Sequence, residues 1–173
     1  MQAKIFTYSK VNQRKIALLF LASGILGAVV SMYLCLWADS ILLAVLVCGI
    51  FLTVLGIVAF LKLILAPKKE NEAAIIIASE GITARTTPVA KAAGLIEWED
   101  VESIKLYSRL LAMKIKNPKK YAARMTIFFV RDTFLKSWQG TIRISFVETN
   151  ATYEELIDIL SKYCEQNSIS LNQ

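Results

Sequence analysis

The stretch IALLFLASGILGAVVSMYLCLWADSILLAVLVCGIFLTVLGIVAFL, Ile16–Leu61, decides the class of fold. Its single charged residue is Asp39. Ile16–Trp37 carries no charge over 22 residues, and Ile41–Leu61 none over 21. As helix, at about 1.5 Å per residue, each run is long enough for a hydrocarbon core of about 30 Å. Only Ala38, Asp39 and Ser40 separate them, so a tight helical hairpin is expected. A cleaved signal peptide fits poorly, because the first run is too long and a second follows at once. There is no lipobox, Met32–Cys35 reading MYLC, and the N-terminal MQAK offers no myristoylation glycine.

The rest of the chain agrees. With 55% hydrophobic residues and a mean hydropathy of +0.51, it is too apolar for an ordinary soluble domain. Lys4, Lys10, Arg14 and Lys15 precede the hairpin, and Lys68 and Lys69 follow it, with Lys62 able to snorkel. Positive-inside bias then places both termini of a multi-pass protein in the cytoplasm, with Asp39 outside. Small residues recur along the spans: Ser23, Gly27 and Ser31 on one stripe of the first, Gly49 and Gly56 in the second. Such residues let helix backbones approach closely in lipid. They suit packing within the hairpin, or association with another protomer or another membrane protein.

Residue usage removes whole classes of chemistry. Histidine is absent, which excludes His-based triads, HExxH zinc sites and histidine pH switches. Cys35, Cys48 and Cys164 form no CxxC motif and read as free thiols. No P-loop, GxGxxG or GxSxG occurs. No catalytic residue, metal or cofactor is expected, and an enzyme is disfavoured.

The chain divides into a basic cytoplasmic lead (1–15), the hairpin (16–66), a linker (67–73) and a domain (74–173). Ala74–Ser79 and Ile82–Thr87 read as paired strands around Glu80-Gly81. Val89–Ala93 reads as a small-residue loop. Leu95–Trp98, Ser103–Arg109, Leu111–Lys116 and Thr141–Val147 read as further strands. Asn117-Pro118 reads as a break or a helix start. Lys119–Trp138 is read as partly helical, with Thr126–Val130 open to either helix or strand. Thr152 and Glu155 fit a capping box. Tyr153, Leu156, Ile157, Leu160, Tyr163 and Cys164 then make one apolar helical stripe.

GLIEWEDVESI, Gly94–Ile104, sets four acids around Trp98. Trp98, Val101 and Ile104 are three apart, which suits a single helical turn that brings all three onto one apolar patch. The acids Glu97, Glu99, Asp100 and Glu102 are then expected on the solvated outside of a structural bend. A carboxylate pair for glycoside chemistry would need acids on separate elements flanking a cleft.

GLIEWEDVESIKLY (Gly94–Tyr107) resembles the strand–bend–strand of bacterial PH-like domains, with their I-x-W-x-D-[VI]-x-x-I pattern. The whole layout is similar to the STM3941 family of small bacterial membrane proteins. The shared features are Tyr8-Ser9-Lys10, two spans, I-x-x-x-G-I at Ile77–Ile82, W-E-D-V at Trp98–Val101, K-N-P-x-x-Y at Lys116–Tyr121, I-x-I-S at Ile142–Ser145 and a terminal helix. The resemblance implies an α+β fold: a transmembrane helical hairpin, then a PH-like antiparallel β-barrel or sandwich capped by a C-terminal helix. It implies a bacterial inner membrane as the location, and it contributes no catalytic residues.

Between Glu102 and Glu148 stand ten basic residues and one acid, Asp132. Lys114, Lys116, Lys119, Lys120, Arg124 and Arg131 are the candidate basic face. The inner leaflet's anionic lipid is one expected partner, because bases near such a surface are attracted to it. An acidic protein partner is another, and homo-oligomers are admitted. Nucleic acid is not expected, since no RNA-binding signature is present. The interleaved aromatics Tyr121, Phe128, Phe129 and Trp138 are expected in the core. The sequence thus reads as a non-enzymatic, membrane-anchored binding or regulatory module. An immunity protein against a pore-forming toxin is the alternative.

Overall fold

The computed structural model describes residues 3–37 and 43–172. The expected turn at Ala38, Asp39 and Ser40 lies outside the described residues. Contacts divide the chain into two units, Ser9–Lys69 and a unit formed by Met1–Tyr8 with Glu70–Gln173.

The first unit is a pair of helices, α1 (Lys10–Leu36) and α2 (Leu43–Leu65). Ser9 caps α1, its hydroxyl accepting from Asn12 N–H at 3.4 Å. Each helix is long and apolar enough to cross a membrane. Most of their large side chains are exposed, Leu19, Phe51 and Leu65 among them. Where the helices meet, the backbones nearly touch. A Cβ on Gly56 would lie 2.6 Å from the Phe20 carbonyl oxygen and 2.7 Å from Gly24 Cα. One on Gly27 would lie 2.6 Å from the Gly49 carbonyl oxygen, and one on Gly49 would run into the Ser31 hydroxyl. Gly27, Ser31, Gly49 and Gly56 therefore line the contact inside the hairpin. Ser23 and Ser31 each donate to a carbonyl of their own helix, Phe20 at 2.8 Å and Gly27 at 2.9 Å. Gln13, which the sequence did not single out, is buried. Its amide nitrogen donates to the Lys68 carbonyl at 3.2 Å, and its amide oxygen accepts from Lys68 N–H at 2.9 Å. One side chain thus ties the start of α1 to the chain leaving α2.

The second unit contains two four-stranded sheets. The first has the order β1-β2-β3-β4 and is antiparallel throughout: β1 (Lys4–Thr7), β2 (Ala73–Ala78), β3 (Gly81–Ala84), β4 (Leu95–Glu97). The second has the order β7-β6-β5-β8: β5 (Val101–Tyr107), β6 (Leu110–Ile115), β7 (Thr141–Ser145), β8 (Ser170–Asn172). Here β5 and β8 run parallel. A single 3₁₀ turn, Trp98–Asp100, carries the chain from one sheet to the other. Both sheets contribute to one core: Phe6, Ile77, Ile82 and Ile96 from the first, Ile104, Leu111, Met113 and Ile144 from the second. Helix α6 (Tyr153–Gln166) adds Leu156, Leu160, Tyr163 and Cys164. Its reciprocal cap joins Thr152 and Glu155, as the S/T-x-x-E spacing requires.

Several expectations need correction. The barrel is not closed: the strands form two sheets that share no strand, and the parallel β8 departs from an all-antiparallel design. The basic lead is not one segment. Lys4–Thr7 is the edge strand of the first sheet, while Lys10–Lys15 begins α1. Phe6 and Tyr8 are buried in the domain core, and Tyr8 OH donates to the Arg85 carbonyl at 3.0 Å. Val89–Ala93 is not a loop but most of α3 (Pro88–Ala93). Thr87 caps it, accepting from Ala90 N–H at 3.2 Å, and Pro88 opens it with its φ already set. The open stretch resolves as helix: α4 (Pro118–Ala122), then α5 (Phe128–Asp132) running into a π turn at Thr133–Ser137.

Candidate binding faces

The bend separates its acids into two kinds. Trp98, Val101 and Ile104 are buried together as their spacing demands. Trp98 Nε1 donates to the Ala78 carbonyl at 2.8 Å, and its ring stacks on Tyr163 with centroids 5.2 Å apart. Glu99 and Glu102 face solvent. Glu97 and Asp100 do not behave as solvated acids, which corrects that expectation. Pro118 starts α4 so that Lys120 and Tyr121 meet them. Lys120 Nζ lies 2.7 Å from both Glu97 Oε2 and Asp100 Oδ2. Tyr121 OH donates to Asp100 Oδ2 at 2.7 Å and accepts from Glu97 N–H at 3.1 Å. Arg124 donates to the carbonyls of Ala93 (3.0 Å) and Leu95 (2.9 Å), with its guanidinium over the Tyr121 ring.

The electrostatics follow from this packing. The Lys120 hydrogen bond to Asp100 holds that carboxyl below its ordinary range. Hydrogen bonds to Asp100 and Glu97 raise Lys120 in turn. Burial, with the hydrogen bond to Asp100, pushes the Tyr121 hydroxyl up to about 12. An unfolded Asp titrates near ~3.9, so the folded protein keeps Asp100 ionised to lower pH. Its stabilisation is complete above that range and is lost as pH falls through the folded value. Asp100→Asn is therefore expected to cost about 1–3 kcal/mol at neutral pH, where the Tyr121 and Lys120 donors lose a charged acceptor. Denaturation of wild type and variant at neutral pH and again below about pH 4 should show the gap closing in acid. A gap that does not change with pH would mean that Asp100 does not act through its charge.

The six residues of the candidate basic face have different surroundings. Lys120 and Arg124 are spent on the bend. Lys116 Nζ donates to the Glu99 carbonyl at 2.9 Å. Lys119 and Arg131 are exposed, and no ion-pair partner is seen for them among the described residues. Lys114 belongs to a different place, the outer face of the second sheet. Strand alternation buries Ile104, Leu106, Leu111, Met113, Ile142 and Ile144. It therefore turns Lys105, Ala112, Lys114 and Arg143 outward. These line a depression of about 530 Å³. Lys105 and Arg143 belong to the ten bases between Glu102 and Glu148 and lie outside the six-residue candidate face. Their signal was present, as polar positions alternating with buried apolar ones, but which of them share a row depends on register.

The aromatics also divide. Tyr121 and Phe134 are fully buried. Ile127, Phe128 and Phe129 are 62%, 59% and 78% exposed, which corrects the expectation that Phe128 and Phe129 are core. The two phenyl rings meet edge to face, 5.8 Å apart, and Arg131 shares their short helix. Compared with protein-family models, curated proteins and solved structures, the chain matches none.

Proposed function

We propose that this chain is a non-enzymatic, membrane-anchored binding module whose β-rich domain rests on an anionic bilayer surface. The observation that carries the reading is the tip of α5, where three consecutive large apolar side chains stand in solvent. Single exposed apolar residues are ordinary, but a contiguous group marks a contact site. Arg131 beside the tip and Lys119 on α4 supply cations, each worth about 1 kcal/mol near an anionic surface. The covalent layout favours lipid over other apolar partners. The domain is joined at two points to helices apolar enough to cross a membrane, directly at Ser9 and through the segment after Leu65. The bases that flank the helices favour the cytoplasmic side of a bacterial inner membrane. Two sheets over one core, closed by a C-terminal helix, are compatible with a PH-like domain. A non-enzymatic role is supported by the bend, whose Glu97 and Asp100 oxygens are engaged by Lys120 and Tyr121.

The test uses the full chain in lipid nanodiscs. In a Phe129→Trp variant, brominated anionic lipid should quench emission beyond the quenching of the parent, which already carries Trp37, Trp98 and Trp138. Amides of 127–131 should exchange more slowly in anionic than in zwitterionic discs. If the added tryptophan is not quenched and exchange is the same in both lipids, the tip does not touch the bilayer and the reading fails.

A further inference from the structure

We propose that the depression on the outer face of the second sheet is a binding site for a phosphoryl group. It uses none of the tip residues and does not depend on the lipid contact there. Register defines its layout. Ala112 lies opposite Lys105 on one side and opposite Arg143 on the other. With about 4.8 Å between neighbouring strands, the two cations start about 10 Å apart across a floor of one methyl group. Lys114, two residues along β6 from Ala112, adds the third cation about 7 Å away. Its row partners are Ser103 and Thr141, both hydroxyl-bearing. Tyr107, half exposed, supplies another hydroxyl at the far end. Among the described residues, no acid lines the depression.

Two of the cations are held in place. The Arg143 guanidinium lies over the Trp138 ring, 5.0 Å from its centroid. Lys114 Nζ donates to the Gln139 carbonyl, in the turn that leads into β7. Fixing them in advance reduces the ordering cost of binding. Three like charges around a small floor repel one another, and an anion between them offsets that repulsion. A guanidinium fork with two ammonium groups and neutral hydroxyl donors suits the several oxygens of a phosphate better than the two of a carboxylate. The volume falls within the range of small-molecule sites. A lipid headgroup and a free phosphorylated small molecule share this chemistry.

The experiment again uses the full chain in zwitterionic nanodiscs, titrated calorimetrically with inorganic pyrophosphate. Saturable binding at one site per chain is expected. Lys105→Gln combined with Arg143→Gln should weaken it by about tenfold or more. Lys91→Gln and Lys162→Gln, at bases outside both sites, should leave it unchanged. Both neutralised positions are exposed, so the double variant is expected to keep or raise its melting temperature, which separates lost binding from lost folding. A second arm carries the protein in discs containing phosphatidic acid and reads retained lipid by native mass spectrometry. Retention that depends on Lys105 and Arg143, without pyrophosphate binding, assigns the site to a headgroup. Pyrophosphate binding assigns it to a soluble ligand. Absence of both, or equal weakening by Lys91→Gln, overturns the proposal.

Discussion

Trp98→Ala is expected to destabilise the β-rich domain by about 3–5 kcal/mol, the usual cost of removing a large buried aromatic side chain. The loss has three parts. The indole packs in the core at the point where the chain changes sheets. Its N–H satisfies the Ala78 carbonyl at the end of β2, and its ring stacks on Tyr163 of α6. One side chain therefore joins both sheets and the terminal helix. Glu99→Gln, one residue on and exposed, should stay within about 0.5 kcal/mol of wild type. Cys164 gives a readout. It is buried, and burial raises its thiol to about 11, so it should react slowly in the folded state. Pulsed thiol labelling during denaturation, with Cys35 and Cys48 replaced by alanine, would follow unfolding of the domain alone. If Glu99→Gln released Cys164 and Trp98→Ala did not, the bend would not be structural.

Gly56→Leu should have its effect in the other unit. The first added carbon would lie 2.6 Å from the Phe20 carbonyl and 2.7 Å from Gly24 Cα, both backbone atoms that no rotamer change can move. The helices must separate or shift, at about 1–3 kcal/mol or more. Few attractive terms replace the lost contact, because lipid tails are as apolar as the helices and packing itself drives association. Ala28→Leu, on an exposed position of α1, is the matched control and should be tolerated. Unfolding in mixed micelles of increasing SDS content would rank the two. Equal sensitivity would show that close packing at Gly56 does not hold the hairpin together.

What could be read from residues alone was whatever depends on local periodicity. The spans, the α6 stripe with its cap, and the three-residue spacing of Trp98, Val101 and Ile104 each announce themselves within one element. What could not be read depends on partners distant in the chain. Lys4–Thr7 is four residues with no alternation long enough to register, and its partner strand begins at Ala73. Ser170–Asn172 is shorter still, and is a strand only because β5 offers a free edge. Charge alone puts Lys120 and Arg124 on a basic binding face. They lie four apart, Lys120 in α4 and Arg124 in the turn just past its end, and both reach the acids of the bend. The spacing was visible, but the acids' position opposite it was not. The phosphoryl site was hidden for the same reason. Lys105, Ala112 and Arg143 are scattered over 39 residues and become neighbours only through two strand registers.

Strands β1 and β2 are neighbours in one sheet, yet residues 8–72, including both apolar helices, lie between them. This has a consequence for biosynthesis. β1 leaves the ribosome before the helices and cannot pair with β2 until they have been made. If only one helix entered the bilayer, the two strands would emerge on opposite sides and could never meet. Phe6 and Tyr8 would then stay out of the core, and β2 would keep an apolar edge exposed, open to aggregation. If the two helices span a bilayer, completion of the sheet acts as a checkpoint on insertion: β1 and β2 can pair only when the segment between them returns to the side from which it started.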